Sequence, residues 1–298
     1  MKKNQIFILF GQSNAVGHNI PMQNDDKILA PLKNVFGLSR KLNQSFDIND
    51  LKWQGYTSCD MNLGEEQDHT YSLANCLATL WQKEIDGGRG LPDLYIVHIA
   101  VGAEGVTQKH LSNGLNKKYM WNPTYNRTLK SGKLGEVDIS LYPFALHILS
   151  LIDDSFKQMG KEYEIMNLYW RGGENDIETP VHELKDVLKR TYEEMFSGFY
   201  NALKRKIPIT LNKLLSRKFV QMKDASGEWL KSLDYINSVF YELEKENKQV
   251  KVFDCSLAPF YDKDKSTDGL FIEDLVHYSP KTNWWVANEI LNGFLDIK

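Results

Sequence analysis

The chain has 298 residues with 42% hydrophobic and 25% charged side chains, and its 39 acidic against 36 basic residues leave a formal net charge of −3. That length can bury a core without disulfides or metals, and the composition sets aside disordered and fibrous classes. With no cluster of Lys and Arg on the scale that counterion release requires, nucleic acid is not an expected partner.

The amino terminus offers only the apolar stretch 6–10 before Gly11, too short for a signal-peptide core and without a small-residue cleavage site. The expectation is a cytoplasmic protein, unless an export leader has been trimmed from it. Cys59, Cys76 and Cys255 are odd in number and lack CxxC spacing, which suits free thiols better than disulfides or zinc. No apolar run approaches the length of a membrane span, so a soluble protein is expected.

Short runs rich in β-branched and aromatic residues alternate with longer segments of helical period, the pattern of a mainly parallel sheet with helices on both faces. A strand over 6–10 ends in Gly11-Gln12-Ser13-Asn14. A serine in a tight turn there projects its hydroxyl over the carboxyl edge of the sheet, but Ala15 stands where the G-x-S-x-G elbow of α/β-hydrolases has its second glycine. Ser13 is therefore read two ways, as a nucleophile or as the cap of a following helix. A strand over 34–38 leads into the polar stretch 39–70, longer than an ordinary connection. Within it, Glu65-Glu66-Gln67-Asp68-His69 reads as a solvated loop rather than a metal site, because a rigid site needs ligands brought together by the fold.

A helix over 71–85 precedes a strand over 94–99, after which Ala100-Val101-Gly102-Ala103-Glu104-Gly105 can present a backbone N–H, from Gly102 or Gly105, to an oxyanion. This block matches neither a phosphate loop nor G-x-G-x-x-G. The stretch 104–140 is again long, and loops leaving the carboxyl ends of parallel strands are where ligands bind. The two loops carry Trp53, Tyr56, Tyr119, Trp121 and Tyr125, read either as flat faces for a pyranose ring or as covers for the core, with Lys117, Lys118 and Asn122 as nearby donors.

A helix over 143–159 and a strand over 165–170 follow. That strand leaves through Tyr169-Trp170-Arg171-Gly172-Gly173-Glu174-Asn175-Asp176, where glycines permit close approach of a ligand and Asn175 offers a side-chain amide to an oxyanion. In a helix over 181–206, Leu184, Val187, Leu188, Tyr192, Met195 and Phe199 form one stripe, with Pro180 in its first turn. Strands over 207–211 and 250–254 and helices over 229–248 and 280–295 complete the alternation. Ahead of the last helix lies Asp274-Leu275-Val276-His277. A carboxylate three residues before a histidine can bend back to Nδ1 and leave Nε2 free to take a proton from a hydroxyl such as that of Ser13. No repeat or linker divides residues 1–298, so one domain is expected. His98 and His147 read as core histidines, and Trp284 and Trp285 as helix packing.

These four blocks, in this order and spacing, resemble those of the SGNH hydrolase superfamily, also called GDSL-like esterases, which carry Ser, Gly, Asn and His in turn. The Gln-Ser-Asn form of the first block resembles the sialate O-acetylesterase-like branch, with carbohydrate acetylesterases related to acetylxylan esterases. The resemblance implies a three-layer, doubly wound α/β fold of flavodoxin type, with a mainly parallel sheet of five or six strands. It implies a serine esterase that removes O-acetyl groups from carbohydrate through an acyl-enzyme, without metal or organic cofactor. Ser13, His277 and Asp274 are then the triad, and the Ser13 and Gly102 amides with Asn175 the oxyanion hole; Gln12, Glu174 and Trp121 are expected at the substrate. The branch's usual glutamine in the third block is replaced by Gly172, which cannot supply a side-chain donor, so the role passes to Asn175. The alternatives are a lipolytic esterase or thioesterase of the same superfamily, or a carbohydrate-binding protein without catalysis.

Overall fold

The structure is a computed structural model and describes residues 2–18, 20–107, 121–124, 140–262 and 269–296. Its centre is β1, Asn4–Gly11, in which every residue after Asn4 is buried. Such a continuously apolar run is what a strand covered on both faces requires. Along it, Ile6, Ile8 and Phe10 point to one face, and Phe7 and Leu9 to the other.

β1 is flanked in parallel by β4, Leu94–Ala100, and β5, Tyr163–Arg171. β2, Val35–Leu38, pairs with the outer edge of β4, and β6, Ile209–Asn212, and β7, Val250–Phe253, extend the other side. The sheet has seven strands, not five or six. The additional one is β3, Trp53–Gly55, antiparallel to β2 at the edge and too short to show a period in the sequence. With β2 and β3 set aside, the remaining order is that of flavodoxin, 2-1-3-4-5, whose ligand crevice lies where the winding reverses beside the first strand.

One face is covered by α4, Leu141–Ser150, α5, Ile152–Gln158, α6, Val181–Leu203, and α8, Glu228–Glu246; the other is covered by α3, Leu73–Asp86, and α9, Pro280–Asp296. The predicted helix over 143–159 is thus two helices meeting at Leu151. The α6 stripe holds except for Val187, which is 37% exposed, and Pro180 sits at the N-cap, one place before the helix. Three short α-helices are also described: α1, Ser13–Val16, α2, Arg40–Asn43, and α7, Arg217–Lys223. Among the described residues no helix is long and apolar enough to cross a membrane.

The register explains how distant blocks meet. Gly11 is paired with Ala100 on one side and with Arg171 on the other. The first, second and third blocks therefore leave the same edge of three adjacent strands.

Candidate active site

Gly11 has φ +149°, and a Cβ there would lie 1.8 Å from the carbonyl oxygen of Arg171. Only glycine lets β1 run this close to β5 and still turn into α1, which begins at Ser13 and is closed by Gly17 in the left-handed region. Ser13 is half-buried and lines a cavity of about 380 Å³. Neither its amide nor its hydroxyl has a partner among the described residues.

Gln12 is fully buried and cannot touch a substrate, contrary to expectation. Its role is structural: Gly173 N–H donates to Gln12 Oε1 at 3.1 Å, and Gln12 Nε2 donates to Asn175 Oδ1 at 2.5 Å. Because the first donor is a backbone amide, the polarity of the chain is settled from one end. Both side-chain amides are thereby oriented, and Asn175, which lines the cavity, keeps Nδ2 as its unengaged end.

Asp274 accepts the amides of Val276 (3.0 Å) and His277 (2.9 Å) on Oδ1, and its Oδ2 lies 2.6 Å from His277 Nδ1. Burial pushes this carboxyl upward, but the hydrogen bonds from the His277 amide and ring and from Val276, with the imidazole charge, outweigh it and hold Asp274 below the usual carboxylate range. An ionised carboxylate at Nδ1 keeps the proton on that nitrogen and leaves Nε2 as the acceptor. His277 and Val276 line the same cavity as Ser13.

The loop after β4 divides the two candidate glycines. Gly102 lines the cavity; Gly105 does not, and a Cβ on it would meet Asp176 Oδ1 at 2.6 Å. Asp176 is buried and accepts Val106 N–H (3.0 Å) and Thr107 N–H (2.8 Å), tying this loop to the one after β5. The Gly102 amide is already engaged, donating to Glu65 Oε2 at 2.7 Å, while Glu65 Oε1 bonds His18 Nε2. His18 packs so tightly on Gly102 that any Cβ there would clash with its ring.

Glu65 is thus part of the site, not of a solvated loop. Among the described residues no cluster of three or more histidine, cysteine or acidic side chains is arranged to hold a metal. Glu104, beside Glu65 and Asp176, has its carboxyl pushed up to about 9, first by burial and then by those two charges.

Glu174 also lines the cavity; Oε1 accepts from Asn14 Nδ2 at 2.7 Å, Oε2 has no hydrogen-bond partner among the described residues, and burial raises its carboxyl above the usual range. The opposite wall is apolar, made by Ile177, by Phe219 and Val220 of α7, and by Trp229 of α8. Trp121, expected at the substrate, is instead fully buried, edge-on to Trp170, with its indole N–H on the carbonyl of Gly11 at 3.1 Å. Tyr56 is buried too, and Trp53 packs on Tyr95 and Phe156. Tyr119, Tyr125, Lys117 and Lys118 lie outside the described residues. The residues that sequence reasoning missed are His18, Glu65, Phe219 and Trp229. None of the four carries a local pattern that points to the site.

No protein-family model matches the chain, and no curated protein matches its sequence. Its fold is similar to solved structures. The crystal structure of NanS superposes with a TM-score of 0.60 at 14% identity, over 99% of this chain and 98% of that one. The inhibitor-bound form of an aryl esterase of M. smegmatis gives a TM-score of 0.45 at 10% identity, over 98% of this chain and 99% of that one. The likeness to NanS is one of architecture: the chain shares its α/β fold, here a seven-stranded and mostly parallel sheet.

Proposed function

We propose that this protein is a carboxylic ester hydrolase that removes O-acetyl groups from carbohydrate by two-step acyl transfer. The observation that carries the reading is convergence. One cavity gathers a serine with an unengaged hydroxyl and amide, an imidazole held at Nδ1 by a carboxylate 2.6 Å away, and the side-chain amide of Asn175, whose Oδ1 is taken by Gln12 and whose Nδ2 is left unengaged.

His277 Nε2 takes the Ser13 proton as Oγ attacks the ester carbonyl, and Asp274 supports the imidazolium that forms. The carbonyl oxygen, becoming an oxyanion, is met by Ser13 N–H and Asn175 Nδ2. His277 then returns the proton to the departing sugar hydroxyl. In the second step water, deprotonated by the same imidazole, attacks the acyl-enzyme and acetate leaves. Gly102 N–H is a third donor only when Glu65 gives it up.

Two features of the cavity support a neutral sugar. Trp229 and Phe219 give it aromatic surface of the kind on which a pyranose packs, and Glu65, Glu174 and Glu178 supply acceptors for hydroxyls. No lysine or arginine is among the described residues that line it, so none of those side chains sets a fixed positive charge against a substrate carboxylate. The same apolar wall favours the second reading, an esterase for longer acyl chains.

The test is turnover of p-nitrophenyl acetate by the parent and by Ser13→Ala, with circular dichroism as the check on folding. Loss of turnover in a folded variant is expected; unchanged turnover refutes the nucleophile. Rates on acetylated xylose oligomers, O-acetyl sialic acid and p-nitrophenyl esters of increasing chain length then rank the readings. Faster cleavage of long chains favours the lipolytic one. Labelling of Ser13 by a fluorophosphonate separates either enzyme from a pure carbohydrate binder.

A further inference from the structure

We propose that Asn14, the residue after the serine, is a positioning residue that sets the His277 imidazole against Ser13; the proposal rests on the acyl-transfer reading above. Asn14 is 3% exposed and does not line the cavity, so it cannot act on substrate directly. Its side chain brackets the histidine: Nδ2 donates to Val276 O at 3.0 Å, and Oδ1 accepts Tyr278 N–H at 2.9 Å. Those are the peptide groups on either side of His277. The second Nδ2 hydrogen goes to Glu174 Oε1 at 2.7 Å, next to Asn175. One side chain on the serine's own helix therefore ties the first, third and fourth blocks together across more than 260 residues of chain.

The loop needs such a tie. Leu275 has φ +62°, in the left-handed region that a leucine disfavours. The bonds from Asp274 to the amides of Val276 and His277 are internal to the loop and move with it. They fix the ring relative to its acid, whereas Asn14 fixes the loop relative to the nucleophile. Asn14 also fits no other partner as well, because two of its three bonds are to a backbone carbonyl and a backbone amide, whose polarities cannot be exchanged. The loop has a separate hold on the core through Tyr278, whose ring stacks on Phe271 and meets the Arg171 guanidinium. Loss of Asn14 is thus expected to spare the fold and loosen only the segment that carries the imidazole.

The experiment compares the parent, Asn14→Ala and the volume-keeping Asn14→Leu, each alone and combined with His277→Ala, by kcat and KM on p-nitrophenyl acetate, by the rate of fluorophosphonate labelling of Ser13, and by Tm. A displacement of about 1 Å in a reacting group can cost on the order of 10²-fold. We expect both single variants to lose kcat and labelling rate by about that factor, with KM within about threefold. In the His277→Ala background, replacing Asn14 should cost nothing further, since the residue acts through the imidazole. Folded single variants that keep kcat within about threefold would overturn the proposal, as would losses that multiply in the double variants. Failure of both substitutions to fold would also overturn it, by placing Asn14 in stability rather than alignment. A parent without Ser13-dependent turnover refutes the acyl-transfer reading instead.

Discussion

Two imidazole–carboxylate pairs face the same cavity, His277 with Asp274 and His18 with Glu65, their rings 6.1 Å apart between centroids. They look alike in composition and differ in what the carboxylate does with its other oxygen. Asp274 turns Oδ1 inward to two amides of its own loop, which keeps it charged and rigid behind the imidazole. Glu65 turns Oε2 to Gly102, so that it occupies an amide that the proposed reaction could otherwise use. The difference teaches that a histidine and an acid in contact are not by themselves a catalytic pair: the free valences of the acid decide whether it orients a base or blocks a hole.

The comparison can be broken at several points. The largest expected effect is His277→Ala, which should lower kcat by about 10⁴-fold or more, while His18→Ala should stay within about tenfold; equal losses, measured on p-nitrophenyl acetate, would make the two pairs equivalent. Asp274→Asn keeps the shape but removes the charge that fixes the tautomer, and should cost on the order of 10³–10⁴-fold in kcat. Next is Asn175→Ala, expected to lower kcat by about 10²–10³-fold with little change in KM, as loss of one oxyanion donor does. An effect confined to KM would make it a substrate contact.

Glu65→Ala should act in the opposite direction. Releasing Gly102 N–H is worth at most about one charge-assisted hydrogen bond, so kcat/KM for a small acetate ester should rise, by up to about a hundredfold. A tenfold fall would instead make Glu65 a working partner of His18. The smallest effect concerns stability. Glu104 is raised to about 9 in the folded chain by burial and by Glu65 and Asp176, against about 4.3 when unfolded. The folded state therefore binds the extra proton. The contribution of Glu104 is fully present below the unfolded value and is lost as pH climbs toward 9, with a slope of at most about 1.4 kcal/mol per pH unit. Glu104→Gln should flatten the decline of Tm between pH 5 and 9; an unchanged decline would show that Glu104 does not carry it.

Much of the sheet was legible because a buried parallel strand needs a nearly continuous apolar run, and 6–10, 94–99 (interrupted by His98) and 165–170 (interrupted by Asn167) are such runs within strands one to three residues longer. β3 and α7 were not legible. β3 has three residues, and α7, reading Arg-Lys-Phe-Val-Gln-Met-Lys, buries only Val220; neither is long enough for a period to emerge. Among the aromatic residues, Tyr56 takes the core-covering reading of the two left open, and Trp121, expected at the substrate, is buried as well, whereas Trp229, in the helix predicted over 229–248, was given no part at the site and lines the cavity. The run from Glu65 to His69 reads as a solvated loop because its polar residues are adjacent in the chain and not brought together by the fold; the contact between Glu65 and Gly102 spans 37 residues and leaves no local trace.

What the sequence by itself determined was the alternation of strands and helices and the chemical types at their ends: a serine after the first strand, glycines and an asparagine after later ones, an aspartate three residues before a histidine. Those are properties of neighbours two to four residues apart, which the chain expresses wherever it folds. Only the tertiary structure decided which way each polar group faces. Gln12 aims Asn175, Asn14 brackets His277, and Glu65 takes the amide of Gly102. The physical reason is that a buried amide or carboxylate is oriented by whichever fixed donor or acceptor the fold sets beside it, and for Gln12 and Asn14 those partners lie some 160 to 260 residues away.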